Sequence, residues 1–129
     1  MWRHEEVNNQ VIGADNAGLR PEDLAGLHES LHEQRLFREE QLRQIAAPSQ
    51  TRAERIRGRQ AASQIEVHVK LAASARMVLS DVEAALQRMD QGRYGRCHLC
   101  AQPIALARLK IVPQARYCGR CHQLREAGR

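Results

Sequence analysis

Apolar residues recur at helical spacing in a first long segment of the chain. Pro21, followed by two acidic residues, is typical of a first helical turn. The backbone N–H that proline lacks has no partner within the helix at that position, and the carboxylates complement the helix dipole. Pro48 disfavours helical geometry in the residue before it. The pattern therefore predicts one helix from about residue 21 to Ala47. Its apolar stripe consists of Leu24, Leu27, Leu31, Leu42 and Ile45.

A second segment shows the most regular pattern in the sequence. Thr51, with Glu54 three residues later, makes a capping box that predicts a helix start. Gln91 and Gly92 predict its end near Asp90, so this helix would be roughly 58 Å long. Apolar positions alternate at spacings of three and four over four heptads, which is typical of a coiled-coil seam. The seam consists of Ile65, His68, Ala72, Ala75, Leu79, Val82, Leu86 and Met89.

Two long helices joined by a short turn are expected to fold back on one another. The sequence thus predicts a mainly α protein, built on a long antiparallel helical hairpin (a coiled coil) with its tip near residues 47–52. A single chain can form this hairpin, which predicts a monomer. A parallel dimer through the second helix alone is the alternative. Residues 1–19 are polar and contain two glycines, so a flexible N-terminal arm is expected there.

Composition agrees with an extended helical shape. Aromatic residues make up 3% of the chain, too few for a large conventional core. The formal charge of +5 suits a nucleic acid or an acidic protein surface as partner but does not distinguish the two. The sequence shows no signal peptide and no membrane span, which predicts a cytoplasmic protein. In a reducing compartment, paired cysteines are expected to be metal ligands rather than disulfides.

Four cysteines form two C-x-x-C pairs in the C-terminal segment, namely Cys97 with Cys100 and Cys118 with Cys121. Each pair can present two thiolates to one face of a tetrahedral metal, and the spacer is long enough to bring the pairs opposite one another. Four thiolates close the coordination shell and leave no position for a catalytic water. The sequence therefore predicts one structural Zn²⁺ and no catalytic residues, with the hairpin in residues 20–90 followed by a small C4 zinc finger and a short C-terminal helix in 91–129.

Histidines offer two weaker signals. The stretch from His28 to His32 matches H-E-x-x-H, the zinc-protease motif, but a two-helix hairpin offers no substrate cleft. This match is interpreted as a coincidence on an exposed helix face. His68 occupies a seam position, where a polar residue can fix the register of a coiled coil. A second metal site formed by these three histidines is a remote alternative.

The approach to the first cysteine pair resembles the DksA/TraR family of C4-type zinc-finger proteins. The resemblance runs through residues 84–97 and continues to Cys121, and it is specific over about residues 82–123. The positions that carry it beyond Cys97 are Pro103, Ile104, Arg108, Leu109, Pro113, Ala115 and Cys118.

This resemblance implies a transcription regulator rather than an enzyme. Members of the family dock on RNA polymerase and insert the tip of the coiled coil into the secondary channel, and some act with the alarmone ppGpp. The chain departs from the family at Ala101, where a glycine usually follows the second cysteine. It departs again at the tip, which is basic where the best-known member has an acidic D-x-x-D-x-A motif. The candidate partner-binding residues there are Arg52, Glu54, Arg55, Arg57 and Arg59.

Two other functions are compatible with the same features. The basic tip and the arginines around the finger would also suit direct binding of nucleic acid, although interleaved aromatic residues and a recognition helix are lacking. Alternatively, oxidation of the four cysteines could expel zinc, which would make the finger a thiol-based redox sensor.

Overall fold

The structure is a computed structural model that describes residues 15–46 and 62–128. The predicted tip, with Arg52, Glu54, Arg55, Arg57 and Arg59, therefore lies outside the described residues, as do residues 1–14 of the predicted arm. Within the described ranges the chain is helical, and Arg96 and Pro103 form an isolated β-bridge. None of the described helices is long and apolar enough to cross a membrane. The elements are a 3₁₀ turn at Asn16–Gly18, then α1 (Pro21–Ala46), α2 (Ala62–Asp90), α3 (Leu106–Ile111) and α4 (Gly119–Ala127).

The helix ends follow local chemistry. Helix α1 begins at Pro21 with Glu22 and Asp23 in its first turn. A hydrogen bond from Arg20 lowers the pKa of Glu22, so this carboxylate stays charged beside the helix dipole. Helix α2 ends at Asp90, and its chain direction reverses at Gly92, which has a φ of 75°. Glycine adopts this left-handed conformation without the penalty that a Cβ would bring.

Helices α1 and α2 pack against one another as an antiparallel hairpin. Early residues of α1 lie in the same core as late residues of α2, which requires the two helices to run in opposite directions. Residues that follow α2 complete this core, so the hairpin and the finger share one apolar interior. Its buried members are Leu27, Leu31, Val82, Ala85, Met89, Tyr94, Cys97, Ile104, Leu109 and Cys121. The mainly α hairpin followed by a small finger is therefore confirmed.

The predicted seam is buried over only part of its length. Ala72 and Ala75 are buried, as predicted. Nearer the tip, Ile65 is 58% exposed and His68 is also exposed. The expectation that His68 is a polar residue within the seam is therefore wrong. Regular spacing fixes which face of a helix is apolar, but burial also requires a partner side chain opposite each position.

A short segment before α1 packs across the junction of hairpin and finger. We call residues 15–19 the N-terminal strap. Asn16 is 3% exposed, and its side chain accepts a 2.9 Å hydrogen bond from the backbone N–H of Tyr94 and donates to the carbonyl of Met89 at 3.3 Å. Its own N–H donates to the carbonyl of Gly92 at 3.1 Å. The last residues of the predicted arm are thus part of the folded base.

Candidate metal centre

The first cysteine pair is held by a tight turn. The N–H of Cys97 donates to the carbonyl of Gln102, and the N–H of Ala101 donates back to the carbonyl of Cys97, both at 2.9 Å. The N–H of Leu99 points at the Cys97 sulfur, 3.4 Å away. Ala101 closes the turn with a φ of 66°. A residue with a Cβ is strained in this conformation, which explains why glycine suits the position.

The second cysteine pair opens a helix. Cys118 is the N-cap residue of α4, and its sulfur accepts a hydrogen bond from the N–H of Cys121 at 3.4 Å. This places Cys121 in the first turn of the helix, facing the core, where it is 8% exposed. The helix start thus presents both sulfurs to one side. The predicted C-terminal helix is α4, whereas α3 has no counterpart in the sequence analysis.

The four sulfurs meet in one cluster. All of them lie within 4.8 Å of one another, and the Cys100 and Cys118 sulfurs are 3.9 Å apart. A tetrahedral zinc with Zn–S bonds of about 2.3 Å requires sulfurs about 3.8 Å apart, so the spacing fits the ion. A closed shell of four thiolates holds one structural Zn²⁺ and leaves no position for substrate or water.

No second metal site accompanies this one among the residues that the structure describes. The cysteine cluster is the single group there of three or more His, Cys, Asp or Glu side chains close enough to share an ion. His28, His32 and His68 do not converge, and the Nδ1 atom of His32 lies 3.0 Å from the Arg35 guanidinium. The remote alternative of a histidine site is therefore wrong.

In the metal-free chain, backbone hydrogen bonds lower the pKa of two of the four cysteines, which favours the thiolate form that binds metal. Burial by itself raises the pKa of Cys97, but backbone N–H donors, including that of Leu99, outweigh burial and lower it to about 6. The N–H of Cys121 likewise lowers the pKa of Cys118. In the metal-free chain, burial and the neighbouring sulfurs raise the pKa of Cys121 to about 12. Zinc must therefore displace a proton from this last ligand.

Several contacts fasten the finger to the hairpin. The hydroxyl of Tyr94, a fully buried residue, donates to the carbonyl of Pro113 at 2.8 Å, and burial raises its pKa to about 12. Arg116 reaches Asp81 on α2 at 2.9 Å, and its carbonyl accepts from the N–H of His98. The sequence analysis missed the role of Tyr94. Its position beside Gly95, in a chain with few aromatics, is the signal that could have found it.

Comparison with known protein families and sequences identifies relatives of the finger. Residues 92–127 match the family described as "Prokaryotic dksA/traR C4-type zinc finger". An uncharacterized protein of Aquifex aeolicus is 37% identical over 43 residues, which is 33% of this chain and 30% of that protein. The matched segment thus spans less than a third of this relative.

A solved structure is similar to the hairpin as well as to the finger. Transcription factor DksA2 from Pseudomonas aeruginosa superposes with a TM-score of 0.67, over 88% of this chain and 90% of that one, at 23% identity. This likeness covers the hairpin as well as the finger and establishes the fold.

Proposed function

We propose that this chain, a DksA/TraR-type C4 zinc-finger protein, regulates transcription by binding RNA polymerase in the cytoplasm. The observation that carries the proposal is the joining of two features in one fold. A long helical hairpin and a C4 finger of this family share a single core, in the arrangement found in a transcription factor of similar fold.

The length of the hairpin indicates which end of the protein would contact the polymerase. The described parts of α1 and α2 comprise 26 and 29 residues, so each helix extends about 40 Å from the finger. A narrow rod of this length can enter a channel that a globular domain cannot. We therefore place the polymerase-facing end at the hairpin tip, inserted into the secondary channel. The candidate contact residues there are Arg52, Glu54, Arg55, Arg57 and Arg59.

The finger has a mechanical role in the same proposal. Its zinc shell is closed, so it supplies no chemistry to a reaction. It anchors the base of the hairpin, through the shared core and through the Asp81–Arg116 ion pair. A rigid base fixes the direction in which the rod points, which determines whether the tip can reach a buried target.

Crosslinking from the tip tests the proposal. A photocrosslinker at Arg55 in the full chain, in a lysate, should capture a polymerase subunit at the secondary channel. The matched control carries the same crosslinker at Glu126, an exposed residue of α4, and should not label that channel. If neither position captures polymerase, and the purified proteins do not bind, the proposal is wrong.

The arginines of the tip can be tested separately. The double variant Arg55→Ala and Arg57→Ala should weaken polymerase binding by more than about tenfold if they meet acidic groups in the channel. The control removes the same charge from exposed positions elsewhere, Arg76 and Arg120. Equal weakening by both pairs would reduce the contribution of the tip to general charge attraction. Transcription assays with and without ppGpp then determine whether the alarmone is a co-effector.

Binding to nucleic acid and redox sensing stay predictions. Titration with duplex and single strands at two salt concentrations tests the first, since attraction by charge alone disappears at physiological salt. Zinc release under mild peroxide tests the second.

A further inference from the structure

Most of the large apolar side chains that are exposed among the described residues lie on the distal stem of the hairpin, residues 32–46 of α1 and 62–81 of α2. They are Leu36, Phe37, Ile65, Val67, Val69, Leu71 and Met77. Single exposed apolar residues are ordinary, but a concentration of them on one element marks a contact surface. The proposed function uses the tip and the finger and leaves the sides of this stem without a role.

One side of the distal stem carries no charged residue on α2. An uncharged stripe recurs there at spacings of four, three and four, which places its members along one line of the helix. It consists of Val67, Leu71, Ser74 and Val78. Val67 is 52% exposed and Leu71 44%, whereas Val78 is partly buried and packs against the core. The stripe thus runs from the exposed stem to the edge of the buried base without meeting a charge.

The adjoining stripe on α1 is uncharged as well. It consists of Gln34, Phe37, Gln41 and Gln44. Phe37 follows the buried residue Leu31 by six positions, as Val78 follows the buried residue Ala72. Because both helices are right-handed and run in opposite directions, equal rotations from their buried faces lead to the same side of the hairpin. We call these two stripes together the neutral side.

The opposite side of the distal stem is apolar near the tip but charged farther along. Ile65 and Val69 are exposed there, and the same line of α2 continues with Arg76. On α1, Arg35 and Glu39 lie on this side. Charged residues are depleted in the cores of protein interfaces. The neutral side is therefore the better contact surface of the two.

Charge and size favour a second copy of this chain as the partner. The distal stem contains five basic and five acidic residues, so two stems do not repel one another. The neutral side has no charge with which to attract nucleic acid or an acidic protein surface. A side about 30 Å long and two helices wide buries at most about 600 Å² per copy, which is the lower limit for a specific interface.

We propose that two copies pair weakly and reversibly through their neutral sides, with the hairpins antiparallel. Residues 47–61, which join α1 to α2, contain four arginines and one glutamate, a net charge of +3. A parallel pair would bring two such charges together, whereas an antiparallel pair separates them by the length of the hairpin. It also brings each basic tip to the level of Glu22 and Asp23, which begin α1 of the other copy. The arrangement differs from the monomer and from the parallel α2 dimer considered in the sequence analysis.

Pairing of this kind would regulate access to the tip. Each tip faces the base of the other copy and cannot enter a channel at the same time, so pairing competes with polymerase binding. This consequence rests on the proposed function, whereas the pairing itself does not.

Sedimentation equilibrium of the purified, zinc-loaded full chain tests pairing in the absence of polymerase. The average mass should rise reversibly from one chain to two between about 5 and 500 µM at physiological ionic strength, as expected for a small interface. A chain that stays monomeric throughout this range would overturn the proposal.

Matched variants locate the contact surface. Val67→Gln with Leu71→Gln should raise the dissociation constant at least about tenfold, because polar side chains replace the apolar centre of the interface. The control, Ile65→Gln with Val69→Gln, has the same spacing on the same helix but lies on the opposite side and should leave the constant unchanged. All four positions are exposed, so helical signal and zinc content should be the same in both variants. An equal or larger loss in the control would overturn the assignment to the neutral side.

A photocrosslinker at Arg55 in the purified chain tests the orientation. It should label the start of α1 in the other copy, near Glu22, and labelling of residues 47–61 instead would overturn the antiparallel arrangement. The two proposals can fail separately. A chain that pairs but does not bind polymerase would contradict only the proposed function, and one that binds polymerase but never pairs would contradict only this inference.

Discussion

The base and the distal stem of the hairpin are built from the same two helices but packed differently. We define the base as the N-terminal strap, α1 through Leu31, α2 from Val82 and the finger. At the base, Leu31 and Val82 are fully buried, whereas on the distal stem Phe37 is 63% exposed and Val69 is 60% exposed. Large apolar side chains in the stem thus face water. Apolar character alone did not decide burial. The finger and the N-terminal strap cover the two helices only at the base, so apolar side chains farther along the hairpin have nothing packed over them.

Stability should therefore be concentrated at the base. Zinc, the buried Tyr94 and the hydrogen bonds of Asn16 all act there, within one core. The stem depends on small contacts such as Ala72 and Ala75, which bury little area. This uneven distribution agrees with the proposed function, in which the tip acts at a distance from the base. The following predictions test this unevenness.

Zinc removal should have the largest effect. Structural zinc in finger peptides contributes apparent binding free energies of about 10 kcal/mol or more, so a chelator should unfold the base. The expected result is a change in the fluorescence emission of Tyr94 and Tyr117, together with a partial loss of the helical circular dichroism signal. Acidification should act in the same direction, because protons compete with zinc for the thiolates. The pKa of Cys97 is about 6 without metal, and bound zinc keeps the thiolate charged to lower pH, so zinc should be lost only well below that value.

Single substitutions provide the control for zinc removal. Cys97→Ser should abolish tight binding, whereas His98→Ala and His122→Ala should keep one zinc per chain, because the four sulfurs form the shell without either ring. Zinc content by mass spectrometry under native conditions measures this. Metal loss in a histidine variant would contradict the C4 assignment.

Truncating a large side chain in each region compares their packing directly. Leu31→Ala should cost about 2–5 kcal/mol of unfolding free energy, since it leaves a cavity in a full core. Phe37→Ala should change it by less than about 0.5 kcal/mol, because most of that ring is already in water. Both positions are in α1, and alanine is the better helix former at each, by more at Phe37 than at Leu31, which widens the expected difference. Thermal or urea unfolding measures the pair, and equal costs would contradict the contrast between base and stem.

The N-terminal strap should contribute an intermediate amount. Asn16→Ala leaves the N–H of Tyr94 and the carbonyl of Met89 without their partner, at a cost of about 1–3 kcal/mol. Gln102→Ala, at an exposed position, is the control and should be nearly neutral. A second variant approaches the same contact from the finger. Gly95 has a φ of 93°, and an added Cβ would lie 3.0 Å from the Cβ of Ala17. Gly95→Ala should therefore also destabilise the base.

The sequence predicted local features of this fold better than its long-range contacts. Pro21 marked the start of α1, and the Gln91–Gly92 pair marked the end of α2, because caps and turns depend on neighbouring residues. The cysteine spacing indicated the metal centre for the same reason. By contrast, the contact of Asn16 with Tyr94 joins residues 78 positions apart. No periodicity reports such a contact, and none showed that Ile65 would be exposed.

The smallest predicted effect has the opposite sign and lies at the first cysteine turn. Ala101 has a φ of 66°, a left-handed conformation that costs a residue with a Cβ about 1–2 kcal/mol. Ala101→Gly relieves this strain but frees the unfolded chain, so we expect a net gain of about 0.5–1 kcal/mol. The control is Ala107→Gly, at an exposed position within helix α3, which should destabilise the protein instead. Unfolding of the zinc-loaded protein measures both variants. If Ala101→Gly also destabilises, the turn does not hold its alanine under strain, and the departure from the family glycine is neutral for the finger.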